Sequence, residues 1–253
     1  MSDVQKEAPA VRVSLTTALT RNPELVQFSF WLVGVMPLIV HAWSEKARKE
    51  MLSKQVKATK GGKDARDPHK EFEDALYTMG PGVYGFPVTG IKNSIVSAAH
   101  KDKGIARTGV QAALWLDAEL VSTRPALAGA ICDVPLIRLY GPPPVLREDM
   151  VRVGSGVQKT ATLAFRPQFS RWAARLTGEL NTSQMKVETL AFLVQEAGRA
   201  YGIGEMRNEK SSAAFGSYRM ATAAEEAALE RHAAGQGPFP LAAPAAPASL
   251  AAE

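Results

Sequence analysis

Apolar and polar positions along the chain change period repeatedly, and each change marks an element. Val11, Val13 and Leu15 alternate with polar residues and predict a strand over Val11–Thr20. Leu25–Gly34 is dense in aromatic and aliphatic residues and reads as a deeply buried strand, continued by Met36–Val40 past a bulge at Pro37. Ser44 is an N-cap for a helix over Ser44–Gln55. Asp67 followed by Pro68 opens a short helix reaching about Tyr77, since proline is preorganised for the first helical position. Ile91, Ile95, Ala98 and Ala99 share one face of a helix over Phe86–Lys101. Val110–Val121 reads as a strand around Leu114, Trp115 and Leu116, with Trp115 assigned to the core. Pro135–Tyr140 is a short apolar strand, stopped by Gly141 and three prolines.

Val151–Val153 and Thr160–Phe165 pair as a hairpin, and Phe169–Leu180 forms one longer strand. Ser183–Ala200 carries the clearest helical stripe, Val187, Leu190, Val194 and Ala197. A strand at Phe215–Met220 and an alanine-rich helix at Ala221–Ala234 follow. No internal repeat is visible.

Setting aside insertions at about 35–86 and 122–168, the order is strand, helix, strand, strand, helix, strand. This is an α+β chain with a ferredoxin-like, RRM-like core (β-α-β-β-α-β) and basic insertions. Both helices would lie on one sheet face, leaving the other free for stacking and phosphate contacts. Residues 1–10 read as a disordered N-terminus, 11–220 as one nucleic-acid-binding domain, and 221–253 as a helix with a Pro/Ala-rich tail.

Charge sharpens this picture. The chain of 253 residues carries a net charge of +5, and the excess is local. Trp43–Lys70 is strongly basic, and its Lys- and Gly-rich loop contains Lys57, Lys60 and Lys63. Val151–Gly178 holds Arg152, Lys159, Arg166, Arg171 and Arg175 and no acidic residue, interleaved with Phe165, Phe169 and Trp172. That composition suits a polyanion, with Trp172 between two arginines as a base-stacking candidate. Lys101, Lys103 and Arg107 form another cluster after a helix. Tyr201–Arg219 combines Gly202, Gly204 and Gly216 with Arg207, Lys210 and Arg219. Glycines let a ligand approach the backbone, and cations beside them suit phosphate. Neither a P-loop nor a dinucleotide fingerprint is present.

Other chemistry is sparse. No apolar run is long enough for a bilayer, and residues 1–10 lack the apolar stretch of a signal peptide. Cys132 is the one cysteine, which fits a reducing, cytoplasmic setting and leaves no thiolate cluster. His41, His69, His100 and His232 are scattered without ligand spacing, so no metal or other cofactor is called for. No nucleophile elbow or paired-carboxylate site is visible, so binding is favoured over catalysis. His100, beside the Lys101–Arg107 cluster, is the one weak ribonuclease candidate.

Gly85-Phe-Pro-Val-Thr-Gly-Ile-Lys92, leading into an alanine-rich helix, resembles the helix-opening element of the RAMP superfamily. Gly202-x-Gly204, with Phe215-Gly-Ser-Tyr-Arg219, resembles that superfamily's glycine-rich loop. Phage-encoded proteins share the same two elements. RAMP proteins supply CRISPR effector subunits that hold guide RNA. The resemblance implies an antiviral-defence-like, single-stranded nucleic-acid-binding subunit of a repeating assembly, partnered by copies of itself or other effector subunits; it does not by itself say RNA or DNA, and RNA is the favoured partner. It places Arg207, Lys210 and Arg219 on the nucleic acid and Lys92 at the polar position opening the first core helix. Glu205 and Glu209 in the same loop would repel phosphate unless they face away. The same charge logic fits a phage single-strand DNA annealing protein, a structural assembly protein, or a metal-independent ribonuclease using His100.

Overall fold

Two long antiparallel strands hold the centre of the molecule. β1 (Leu25–Gly34) pairs with β10 (Ala173–Asn181) from Leu25↔Asn181 to Val33↔Ala173. The computed structural model describes residues 24–43, 51, 66–101, 105–122, 133–153, 160–211 and 213–241, with backbone only at His100, Lys101 and Val153. The expected strand at Val11–Thr20, most of the helix at Ser44–Gln55 and the lysine-rich loop lie outside the described residues.

β11 (Tyr218–Met220) flanks β1 on its other side. The other edge of β10 is shared between two strands. β5 (Leu114–Leu116) pairs with Gly178–Leu180, and β7 (Asp133–Tyr140) pairs with Ala173 and Ala174. β6 (Glu119–Ser122) runs beside the first half of β7, so β5 and β6 fill the gap where β10 and β7 diverge. β4 (Val83–Pro87) and β3 (Thr78–Gly80) extend the sheet beyond β7. A second, smaller sheet has the order β2 (Leu38–Ile39), β9 (Thr160–Phe169), β8 (Val145–Val153). The chain is α+β with antiparallel sheets.

Five helices are described. α1 (Pro68–Asp74) starts as its sequence predicts: the Asp67 carboxylate accepts from the amides of His69 and Lys70, with Pro68 in the first turn. α2 (Val88–Lys101) and α4 (Val187–Ala200) pack against each other on one face of the large sheet. They bury Ile91, Ile95, Val96, Leu190, Leu193 and Val194 against Leu32, Leu114, Ala174, Leu176 and Leu180. Gly198 permits close contact, because a Cβ there would lie 2.0 Å from the Tyr218 carbonyl oxygen. The buried Tyr218 hydroxyl is satisfied by the Ser94 hydroxyl at 3.2 Å.

The opposite face carries Trp31, Val33 and Ala173. Here α5 (Ala223–Ala233), opened by a capping box between Thr222 and Glu225, seats Leu229 on the sheet. Phe239 and Leu241 follow it across the same surface, and His232 stands edge-on to both Tyr140 and Phe239. Trp31 Nε1 donates to Glu230 at 2.8 Å. The face expected to be open is therefore covered over this half by the chain's own C-terminal segment.

Several expectations change. β1 is buried on both sides only at Trp31–Val33; its first half is exposed or half-exposed because α5 does not reach it. Residues expected to begin a strand at Val110 form α3 (Arg107–Ala113) instead, with Val110 and Ala113 buried one helical turn apart. Leu114 and Leu116 then point to the core, so Trp115 between them points outward and is 66% exposed. Phe86 and Pro87 close β4, and α2 starts after them. The single strand expected at Phe169–Leu180 is two strands in different sheets, broken at Ser170–Trp172. The segments at about 35–86 and 122–168 are not mere loops: they supply β2 to β4 and β7 to β9.

Leu229 is the one buried residue of α5. Leu229→Ala should cost about 2–5 kcal/mol in denaturant unfolding and red-shift tryptophan emission as Trp31 becomes hydrated. Unchanged stability and emission would mean that α5 does not cover the sheet in solution.

Candidate nucleic-acid interface

The glycine-rich segment begins where α4 ends at Tyr201. Gly202 (φ +66°), Gly204 (φ +78°) and Gly216 (φ +67°) occupy the left-handed region that glycine tolerates best. Their freedom serves the chain's own packing. A Cβ on Gly204 would lie 2.4 Å from the Ile39 carbonyl oxygen, and one on Gly216 would lie 1.8 Å from that of Ile203. The Glu205 amide donates to Ile39 O at 2.9 Å and the Gly216 amide to Pro37 O at 2.8 Å. The backbone expected to meet a ligand at Gly202 and Gly204 is stapled to β2 and to Phe215–Gly216.

Most arginines singled out from the sequence are held by partners within the fold, Arg166, Arg171 and Arg175 by partners far away in sequence. Arg207 bonds Glu209 and the Gly204 carbonyl, each at 3.0 Å. Arg219 forms a two-pronged pair with Glu225, at 2.6 Å on the shorter arm. Hydrogen bonding to Arg219 holds the Glu225 carboxyl down at about 2. Arg166 lies 3.7 Å from Glu205, which also faces His41 at 3.8 Å. Arg175 bonds Ser29 at 3.0 Å and lies 3.4 Å from Glu230. Arg171 donates to the Leu241 carbonyl at 2.9 Å. Arg171 and Arg219 line one cleft with Glu225 and Leu241.

Burial removes Trp172 as a stacking platform, and hydrogen bonds engage Lys92. Trp172 is 0% exposed and donates through Nε1 to the Met36 carbonyl, so it offers no face to a base. Lys92 donates to the carbonyls of Gln111 (3.1 Å) and Leu114 (2.6 Å) at the end of α3. Burial lowers its pKa. It is a structural tie between α2 and α3.

Other cations are available. Lys210 and Arg107 are exposed and form no ion pair with another described residue. Arg107 opens α3, and its charge acts on the Tyr201 phenol, as does that of Glu209 in the glycine-rich segment. Burial raises that phenol's pKa, Glu209 and Glu196 raise it further, and Arg107 opposes them. Arg107 thus lies within electrostatic reach of the Tyr201 phenol at the end of α4. Lys57, Lys60, Lys63 and Lys103 lie outside the described residues, and of Lys101 only the backbone is described.

The sequence reading missed Arg138, Tyr140 and the outward turn of Trp115. β7 alternates Ile137 and Leu139 towards the helices with Arg138 and Tyr140 away from them. The Arg138 guanidinium lies 4.7 Å from the Tyr140 ring centroid. Trp115 pairs in register with Glu179, on the face that carries Arg175. Strict alternation in Leu114-Trp115-Leu116 and Ile137-Arg138-Leu139 was the available signal. Among the described residues, no three His, Cys, Asp or Glu side chains converge as a metal set, and no helix is long and apolar enough to cross a membrane.

No protein-family model and no curated protein matches the chain. Among solved structures it is similar to Cmr6 from Pyrococcus furiosus. That similarity has 13% identity and a TM-score of 0.35, and covers 78% of this chain and 99% of Cmr6.

Gly204→Ala should destabilise the protein by about 2 kcal/mol or more, because the new methyl meets a backbone carbonyl at a strained φ. Gly109→Ala, at an open position in α3, should be neutral or stabilising and serves as the control. Chemical denaturation measures both; equal midpoints would remove the stapling role.

Glu225 gives a pH prediction. Its depressed folded-state pKa contributes stability that is present above 4.5 and lost as pH falls through about 2. Thermal melts of Glu225→Gln should therefore lose less stability than wild type across that acid window.

Proposed function

We propose that this chain binds single-stranded nucleic acid, RNA in preference to DNA, through its phosphates, as one subunit of a repeating CRISPR-effector-like assembly. The observation that carries the reading is that Arg107 and Lys210, each part of a basic run, stay exposed and form no ion pair with another described residue. The Lys101–Arg107 run and the Arg207–Lys210 turn were singled out separately as phosphate-binding. An origin in one interface accounts for both.

The sheet supports the ferredoxin-like part of the proposal. The order β11, β1, β10, β5 is the fourth, first, third and second strands of a β-α-β-β-α-β unit, with α2 and α4 together on one face. Lys57, Lys60, Lys63, Lys101 and Lys103 are proposed to extend the phosphate track. Trp115, with Arg138 and Arg175 on the same face, opposite α2 and α4, takes the stacking role first assigned to Trp172. Arg166, Arg171 and Arg219 serve mainly to hold the fold, because their guanidinium groups are already engaged.

Fluorescence anisotropy with a labelled oligouridine tests this. Affinity should fall with salt at a log–log slope of about −0.7 per phosphate contact. Arg107→Glu and Lys210→Glu should each weaken binding severalfold and flatten the slope. A DNA oligonucleotide of equivalent sequence should bind more weakly. A flat salt response, or charge reversals without effect, would overturn the proposal.

A further inference from the structure

We propose that β8 is a dimerisation edge, pairing antiparallel with β8 of a second copy of this chain about a two-fold axis through Met150. This goes beyond nucleic-acid binding and does not depend on it. β8 pairs with β9 along its whole length, from Val145↔Gln168 to Val153↔Thr160. It ends the small sheet, and no described strand lies on its other side. Such an edge presents a row of unpaired amides and carbonyls that templates another strand. Edges are commonly blunted by proline, lysine and other charges; Val145–Val153 has no proline or lysine, and its four charges, Arg147, Glu148, Asp149 and Arg152, are of both signs.

The two faces of the hairpin differ. Arg147 and Asp149 lie on the face turned to the body: Arg147 bonds Asp149 and Gln168 and stacks 4.7 Å from the centroid of Phe215. The other face carries Leu146, Glu148, Met150 and Arg152, with Leu163 opposite Met150. Met150 is 67% exposed, Leu163 45% and Leu146 41%, an apolar strip on a protruding edge. Glu148 and Arg152 are exposed and form no ion pair with another described residue.

Charge selects the occupant and the register. A two-fold antiparallel pair places residues of equal parity opposite one another. With the axis at Met150, Glu148 faces the partner's Arg152, Arg152 faces the partner's Glu148, and the two methionines meet between them. Moving the axis to Glu148 or Asp149 sets like carboxylates face to face. Moving it to Val151 sets Met150 against Arg152 and leaves both charges unmatched. Opposite charges directly across strands stabilise a pair and like charges oppose it, so this edge is complementary to itself in one register. The product is a continuous six-stranded sheet made of two small sheets, with Met150 and Leu163 of both copies shielded on one face.

Sedimentation velocity of the full chain after nuclease treatment tests this without interference from bound nucleic acid. Wild type should show a concentration-dependent monomer–dimer equilibrium. Glu148→Arg and Arg152→Glu should each weaken dimerisation by about tenfold or more, because each variant faces like charges twice across the axis. The double variant E148R/R152E should restore it. Both side chains are exposed, and circular dichroism checks that every variant folds. Monomeric wild type at about 100 μM, insensitivity to the single reversals, or failure of the double variant to recover would overturn the proposal.

Discussion

The crossing at Gly34 and Trp172 fixes the relation of the two sheets, and the other candidate surfaces depend on it. Chain leaves the large sheet at Gly34 for β2 and returns from β9 to β10 at Trp172. The indole lies on Gly34 so closely that a Cβ there would sit 2.2 Å from Nε1. Gly34 N–H donates to the Trp172 carbonyl at 2.9 Å, and the indole N–H donates to Met36 O at 3.0 Å. A buried tryptophan with its one donor satisfied removes a large apolar area from water at no polar cost. A side chain at position 34 would force the two crossings apart. The glycine-rich segment then wedges against the same junction, through Gly204 on Ile39 and Gly216 on Pro37. Glycines that resemble a ligand-binding loop are here required by packing.

That junction also orients the surfaces. The small sheet ends at β8, and no described strand lies beyond it. The face of the large sheet opposite α2 and α4 is divided. One half is sealed by Leu229, Phe239 and Leu241 over Trp31, and the other displays Trp115 and Arg175. A partner reading that face meets an exposed aromatic, Trp115, opposite Glu179. Lengthening contact with the sheet would require displacing α5, which is tied by Trp31–Glu230 and Arg219–Glu225 as well as by Leu229.

Periodicity made the helices legible where a single face is buried. α4 follows from its stripe of Leu190, Val194 and Ala197, and α1 from Asp67-Pro68. β7 was visible because its apolar run ends in prolines. The break at Ser170–Trp172 was not, because Phe169 and Ala173 are both buried in strands and nothing local signals that the strands belong to different sheets. Trp115 and Trp172 exchanged roles for a related reason. Each sits among residues that suit either burial or exposure, and only the register of β5 on β10 and the contact with Gly34 decide between them. Lys92 read as a surface charge because the carbonyls it satisfies belong to a helix end about twenty residues later.

Charge was the least legible property, for a physical reason. The acid-free run from Val151 to Gly178 suggested an unopposed cationic surface, but a guanidinium is neutralised in space and not in sequence. Arg166 takes Glu205 from the glycine-rich segment, Arg175 takes Glu230 from α5, and Arg171 takes a carbonyl from the C-terminal strand of chain beyond it. Even the loop arginine Arg207 closes on Glu209. An exposed pair of this kind adds little stability, yet a phosphate must displace the carboxylate before it can bind, so each such arginine contributes less to an anion than its charge implies. Positive potential therefore resides with cations that the fold leaves unmatched. Arg107 opens α3, Lys210 lies in the glycine-rich segment, Arg138 stacks on Tyr140, and Arg152 stands on the open edge of β8. The first three carry the proposed phosphate contacts or stacking surface, whereas Arg152 stands four residues from a glutamate on a face that also carries Met150 and Leu146. There its most complementary neighbour is another copy of the same strand.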